Sequence, residues 1–408
     1  MASITPSPSV VWVLTDDRPG NTTQSVGLAR ALGWPHEIKE LHFTPLARMI
    51  KRLFGPFAAT RRGVDTARSP VLAPPWPDVV IAAGWRPAQV ARWISRQSRG
   101  RTRTIQLGRK GGHVAGLFDI VITCSYFLLP PHPRRIEIAA PLTQVSPERL
   151  SQAAERWRHL FDHAPHPHIM LLIGGATARH CWDSGIARHL GEDVRAFARA
   201  AGGSVFAITS RRTGQEATEA LTQGLGEFGQ VQHWHSHQHG NPYLAYLALA
   251  DVLVVTGESE SMLAEATAVG KPLYIYPLPV IERLPRLKTR LKVRLKDWTV
   301  AHAYAASGEN GEGSQAQHLT GRFSRLCIAW GIIRPRRDLH ELHQALIRRG
   351  GARFFGEPLE IWSCPSSREI DEVALKVRDL LGFSKAPSPR TPVLNPVEGR
   401  ESGNKGVE

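Results

Sequence analysis

Residues suited to binding or moving charge recur where apolar runs end. The run Val10–Thr15 stops at Asp16-Asp17-Arg18-Pro19-Gly20-Asn21, ahead of a helical pattern containing Gln24. Carboxylates at a cleft edge suit a general base acting on an acceptor hydroxyl. Asp16 and Asp17 are therefore catalytic candidates, with Arg18, Gly20, Asn21 and Gln24 on the acceptor side. An Asx turn with a helix cap is the structural alternative. A second run, His168–Ile173, enters Gly174-Gly175, where backbone can approach a ligand closely and donate N–H groups, or simply turn. A third, Ser204–Thr209, ends in Ser210-Arg211-Arg212-Thr213. Adjacent guanidinium groups flanked by hydroxyls suit a diphosphate, and a solvated charge pair is the plainer reading. A fourth, Val252–Thr256, leads into Gly257-Glu258-Ser259-Glu260-Ser261-Met262 and Glu265. Hydroxyls at a helix start favour an anion or a sugar hydroxyl, and they also cap the helix. Asn241-Pro242-Tyr243 starts another helix, and Tyr243 either stacks on a base or packs in the core.

Two other clusters carry weaker signals. His233, His235, His237 and His239 alternate along one strand face, yet no acidic or cysteine partner is near, so an exposed polar strand end outweighs a metal site. No metal is expected. Residues Arg283–Lys296 hold seven basic side chains and no acid, interleaved with Leu284, Leu287, Leu291, Val293 and Leu295. Arg286, Lys288, Arg290, Lys292, Arg294 and Lys296 would face anionic head groups, with Leu46–Phe54 a weaker segment of the same kind. A solvated basic helix packed on the domain is the alternative.

The elements that must position these residues follow an α/β rhythm. In the first 125 residues, strand patterns at Val10–Thr15, His36–Phe43, Asp78–Ala83, Thr104–Leu107 and Asp119–Thr123 alternate with helical ones at Thr23–Leu32, Leu46–Phe54 and Pro87–Ser95. Phe127–Pro167 breaks the rhythm and reads as a connection holding one helix, Pro147–Phe161. A second series runs to Pro272–Tyr276, past which the pattern weakens until a helix at Arg368–Leu381. The expected fold is α/β: two Rossmann-like domains facing a cleft, with ligands beyond the carboxyl ends of the strands. Residues 1–145 would form the N-terminal Rossmann-like domain and 146–383 the C-terminal one, ending in a helical segment; 384–408, with four prolines, a disordered tail.

Composition agrees. At roughly 150 residues per domain, 408 residues allow two or three. Fifty-one Lys and Arg against 36 Asp and Glu give a net charge of +15, which favours phosphate-bearing partners. Nucleic acid is not expected, because no recognisable module and no interleaved stacking aromatics accompany the charge. Four scattered cysteines exclude a disulfide scaffold, and a cytoplasmic location, peripheral on the inner membrane face, is expected. No run reaches the roughly 18 to 20 apolar residues of a membrane span.

The pieces LTDDRPGNTTQSVGLARALG, LLIGGA, ITSRRT, NPYLAYLALAD and VVTGESESMLAEATAVGKPLYIY, in this order over Val10–Tyr276, resemble bacterial members of the mitochondrial fission (elongated-mitochondria) protein family. That family is similar to glycosyltransferases of the two-Rossmann GT-B type. The resemblance implies a nucleotide-sugar donor held by the C-terminal domain and no cofactor. Carried over by position, Ser210, Arg211 and Arg212 would meet the diphosphate, Ser259, Ser261 and Met262 would line the donor pocket, and Glu265 would meet hydroxyls. The chain departs from the pattern at Asn21, where His is common, and at Asp17, where Gly is usual. Glu258 and Glu265 stand one residue closer than the paired glutamates of many retaining GT-B enzymes, so no stereochemical outcome is implied. Sugar transfer to an envelope or lipid-linked acceptor is the leading expectation. A nucleotide-sugar epimerase or hydrolase, and a non-catalytic peripheral membrane adaptor, are the alternatives.

Overall fold

The computed structural model describes residues 10–108, 114–129, 131–233, 241–281, 338–365 and 369–383. The expected basic segment Arg283–Lys296, including Arg286, Lys288, Arg290, Lys292, Arg294 and Lys296, lies outside the described residues. So do the expected tail and His235, His237 and His239.

Short, fully apolar runs become buried parallel strands because both faces are covered by helices. β1 (Val11–Thr15), β2 (His36–Glu40), β3 (Val79–Ala83), β4 (Arg103–Leu107), β5 (Ile120–Cys124) and β6 (Arg135–Ile138) form one sheet in the order β2-β1-β3-β4-β5-β6. Every pair in it is parallel. α1 (Pro19–Leu32), α2 (Leu46–Phe54) and α3 (Trp85–Gln97) are its helices. β1, β3 and β5 are buried at every residue. α1 opens on Pro19 and closes at Gly33, whose φ of 68° is the left-handed turn that glycine adopts without strain.

The second sheet follows the same logic. β7 (His168–Leu172), β8 (Ser204–Ile208), β9 (Gly229–Gln232), β10 (Val252–Thr256), β11 (Leu273–Tyr276) and β12 (Arg353–Phe354) run in the order β12-β11-β10-β7-β8-β9, again all parallel. Its helices include α5 (Ser184–Ala200), α6 (Gln215–Leu225), α7 (Tyr243–Leu249) and α8 (Glu260–Val269). The preceding α4 (Pro147–Trp157), capped by Ser146, joins the sheets and packs along α7. Both strand orders are those of doubly wound Rossmann sheets, so the two-Rossmann, GT-B-like architecture expected from sequence is the one observed.

Three elements differ from expectation. The presumed connection contains β6; its Ile136 and Ile138 are buried, but four residues are too short for a period-two signal to stand out. α9 (Leu339–Arg348) and β12 lie where the sequence pattern weakens, and Leu342 and Leu346 of α9 are fully buried. α10 (Glu369–Leu381), assigned from sequence to the second domain, instead packs on α1 of the first. Arg378 Nη2 donates to the carbonyls of Ala31 and Leu32 at 3.0 and 2.9 Å, and Phe383 meets Trp34 edge-on. A cation on the last carbonyls of α1 satisfies acceptors that the helix itself cannot.

Candidate functional site

Each sheet has one switch point, where neighbouring strands send their connections to opposite faces and open a crevice. In the first sheet it lies between β1 and β3, in the second between β7 and β10. Asp16 follows β1, Gly84 follows β3, Gly174 follows Ile173 beyond β7, and Gly257-Glu258 follow β10.

At the first switch point Asp16 is caged. Its Oδ1 accepts from Asn21 Nδ2 at 3.0 Å and from the Arg18 amide at 3.3 Å. Its Oδ2 accepts from Arg86 Nη2 at 2.8 Å and Nε at 3.1 Å, and its side chain is 1% exposed. With both oxygens bonded and its side chain buried, Asp16 ties Arg18, Asn21 and Arg86 together at the end of β1. Asp17 is exposed and also paired with Arg86, whose hydrogen bond holds its carboxyl below the usual range. Gly84, at φ 78°, leaves room for Asn21: a Cβ there would stand 2.7 Å from Asn21 Nδ2. Arg86 is the residue sequence reasoning missed here; a strand-end glycine followed two residues later by Arg was its signal.

At the second switch point the chain satisfies its own donors. The Gly174 amide donates to Thr256 Oγ1 at 2.9 Å and the Gly175 amide to Glu258 Oε1 at 2.7 Å. The expected N–H groups of Gly174 and Gly175 are thus taken up internally. Both glycines are needed for close packing: a Cβ on Gly174 would sit 1.9 Å from Glu258 Oε1, and one on Gly175 would sit 2.4 Å from the Arg212 carbonyl oxygen. Ser210 is likewise inward, donating its hydroxyl to the Gly174 carbonyl within a turn also bound by Thr213. Arg211 is exposed. Arg212 Nη2 donates to Ser259 Oγ at 3.4 Å and lies 3.6 Å from Glu258 Oε1. The Glu258 side chain is fully buried, and burial pushes its carboxyl above the usual range, against the pull of Arg212 and the Gly175 amide.

Both halves line one cavity of about 530 Å³. Arg18, Gly20, Asn21, Thr23 and Gln24 come from the first sheet's side, and Arg212, Glu258, Ser259, Ser261 and Glu265 from the second. Thr143, before α4, and Thr177 also line it; neither stood out in the sequence, because each sits in an irregular segment. An adjoining cavity of about 290 Å³ shares Thr23 and Glu265 and adds Asn241, Tyr243 and Arg149. Tyr243 donates to Glu265 Oε2 at 2.7 Å, and burial raises the pKa of both groups, that of Tyr243 well above its usual range. Asp16, Asp17, Gly174, Gly175, Ser210, Arg211, Thr256 and Met262 line neither cavity; Met262 packs against the core instead.

One group of possible metal ligands gathers among the described residues. His166 Nδ1 lies 2.5 Å from Asp251 Oδ2, and His168 stacks on His166 at 3.8 Å. It stands where β7 and β10 begin, at the opposite end of the sheet from the cleft.

The model of the family described as mitochondrial fission ELM1 matches residues 19–319. The chain belongs to this family. A mitochondrial fission protein ELM1 of Arabidopsis thaliana is 28% identical over 221 residues, 49% of this chain and 51% of the relative. The chain therefore spans about half the length of that ELM1 protein. An uncharacterized protein of Rickettsia prowazekii (strain Madrid E), RP120, is 23% identical over 313 residues, 66% of this chain and 83% of the relative. Among solved structures, this ELM1-family chain is similar to a UDP-glucosyltransferase from Polygonum tinctorium, at 11% identity and a TM-score of 0.41 over 93% and 100% of the two chains. A UDP-GlcNAc 2-epimerase from Neisseria meningitidis shows 11% identity and a TM-score of 0.39 over 83% and 98%. Among the described residues of the ELM1-family chain, no helix is long and apolar enough to cross a membrane.

Proposed function

We propose that the chain is a glycosyltransferase that takes a sugar from a nucleotide-sugar and passes it to an acceptor entering between the two sheets. The carrying observation is that Arg212, Ser259, Ser261 and Glu265 share one cavity with Arg18, Asn21 and Gln24 from the opposite half. The diphosphate lies against Arg212 and the start of α8, where the guanidinium and the helix dipole stabilise the departing charge. Glu265, with Tyr243 and Arg149 beside it, takes the nucleoside hydroxyls. Arg18, Asn21 and Gln24 face the acceptor.

The acceptor is presented at a membrane surface, lipid-linked or part of an envelope glycan. Support for this comes from α2, which exposes Met49, Leu53 and Phe54 to solvent beside the exposed Arg48 and Arg52. Apolar side chains next to cations are the pattern of a segment lying in an anionic lipid interface. Calorimetric titration with uridine diphosphate tests the donor half. Saturable binding that R212A weakens supports it, and failure of a panel of nucleoside diphosphates to bind removes it.

A further inference from the structure

Glu258 is placed where a bound anion would be expected. Its Oε1 accepts the Gly175 amide at 2.7 Å and lies 3.6 Å from Arg212 Nη2, while Arg212 also reaches Ser259 Oγ. Gly174 has no side chain to keep the carboxylate away, and a Cβ there would overlap Oε1 at 1.9 Å. Amide, guanidinium and hydroxyl at the start of a helix make an oxyanion cradle. The cradle is closed by the chain's own carboxylate. Glu258 Oε2 is buried and has no hydrogen-bond partner among the described residues, an arrangement that does not stabilise the empty protein.

We infer that Glu258 is a resident anion that competes with the donor's diphosphate for Arg212 and the Gly175 amide, so that binding requires its carboxylate to be displaced or neutralised. This rests on the nucleotide-sugar reading for the identity of the incoming anion, but not for the existence of the cradle. The other charged groups lining the cavity are Arg18 from the first half and Glu260 and Glu265 from α8. Competition at this point sets donor affinity and disfavours ligands with a single weak negative charge, because only a stronger anion displaces a carboxylate already in place.

The test compares wild type, E258Q and E260Q in calorimetric titrations with uridine diphosphate at pH 8, where its terminal phosphate is fully ionised. Glutamine keeps an oxygen for the Gly175 amide, and matching thermal unfolding confirms the fold. E260Q removes the same charge from the same cleft and keeps an oxygen for the Tyr126 hydroxyl. The expected result is at least tenfold tighter binding for E258Q and less than threefold for E260Q. Equal gains in both variants would reduce the effect to cleft charge and overturn the inference. An E258Q that binds no tighter than wild type overturns it too, while leaving the nucleotide reading intact. If none of the three binds uridine diphosphate, inorganic pyrophosphate decides: a gain confined to E258Q keeps the cradle and removes the nucleotide, and no gain removes both.

Discussion

Tyr126, at the carboxyl end of β5, donates its hydroxyl to Glu260 Oε2 at 2.5 Å, tying the first sheet to the first turn of α8 in the second half. The ring is fully buried, and desolvation raises the phenol well above its ordinary pKa, so it stays a donor at any working pH. A hydrogen bond to a charged acceptor contributes about 1.5–3 kcal/mol. Y126F should lower stability by that order in urea unfolding, with little change in the unfolded surface exposed. An unchanged midpoint would show that the hydroxyl does not hold the halves together.

The two arginines expected from sequence to grip diphosphate should separate. Arg212 lines the cavity, and Arg211 does not. Charge-assisted bonds to phosphate contribute a few kcal/mol at most, so R212A should weaken uridine diphosphate binding by about ten- to a hundredfold. R211A should stay within about threefold. Equal losses would move the diphosphate outside the cavity, towards the exposed face of the turn.

Architecture was legible because parallel strands announce themselves. Residues 79–83 and 252–255 are unbroken apolar runs, and Gly33 and Gly270 mark helix ends. β6 and α9 were not legible, since their burial depends on neighbours distant in sequence. The general position of the site was readable, because ligand-facing residues in such folds follow strand ends. Direction was not. Ser210 turns inward to the Gly174 carbonyl, and the Gly174 and Gly175 amides turn to Thr256 and Glu258, while Arg212 and Ser261 turn to the cleft. Nothing in ITSRRT distinguishes Arg211 from Arg212; they separate only in the folded turn, which the Thr213 hydroxyl closes on the Ser210 amide.

Glu265 supplies a pH prediction. Burial raises its carboxyl above the ordinary value of 4.5, against the Tyr243 hydrogen bond and the Arg149 charge. A raised carboxyl binds its proton more tightly folded than unfolded. Its contribution is therefore most favourable below the ordinary carboxylate range and is lost as pH rises through the raised value. E265Q should unfold at a higher temperature than wild type at pH 8, with the difference shrinking towards pH 4. A difference independent of pH would mean that the carboxyl is not perturbed by folding.

The exposed face of α2 carries the membrane prediction. Leu53 and Phe54 are 70% and 62% exposed, so replacing them takes nothing from the core. Burying two such side chains in an interface contributes about 1.5–3 kcal/mol each at most. L53S/F54S should therefore reduce partition onto vesicles containing anionic lipid by at least tenfold, with unchanged thermal stability. Partition should also weaken as salt is raised, since Arg48 and Arg52 act through screened charge. If the double variant binds vesicles like wild type, α2 is not the docking face, and the acceptor need not be sought at a membrane.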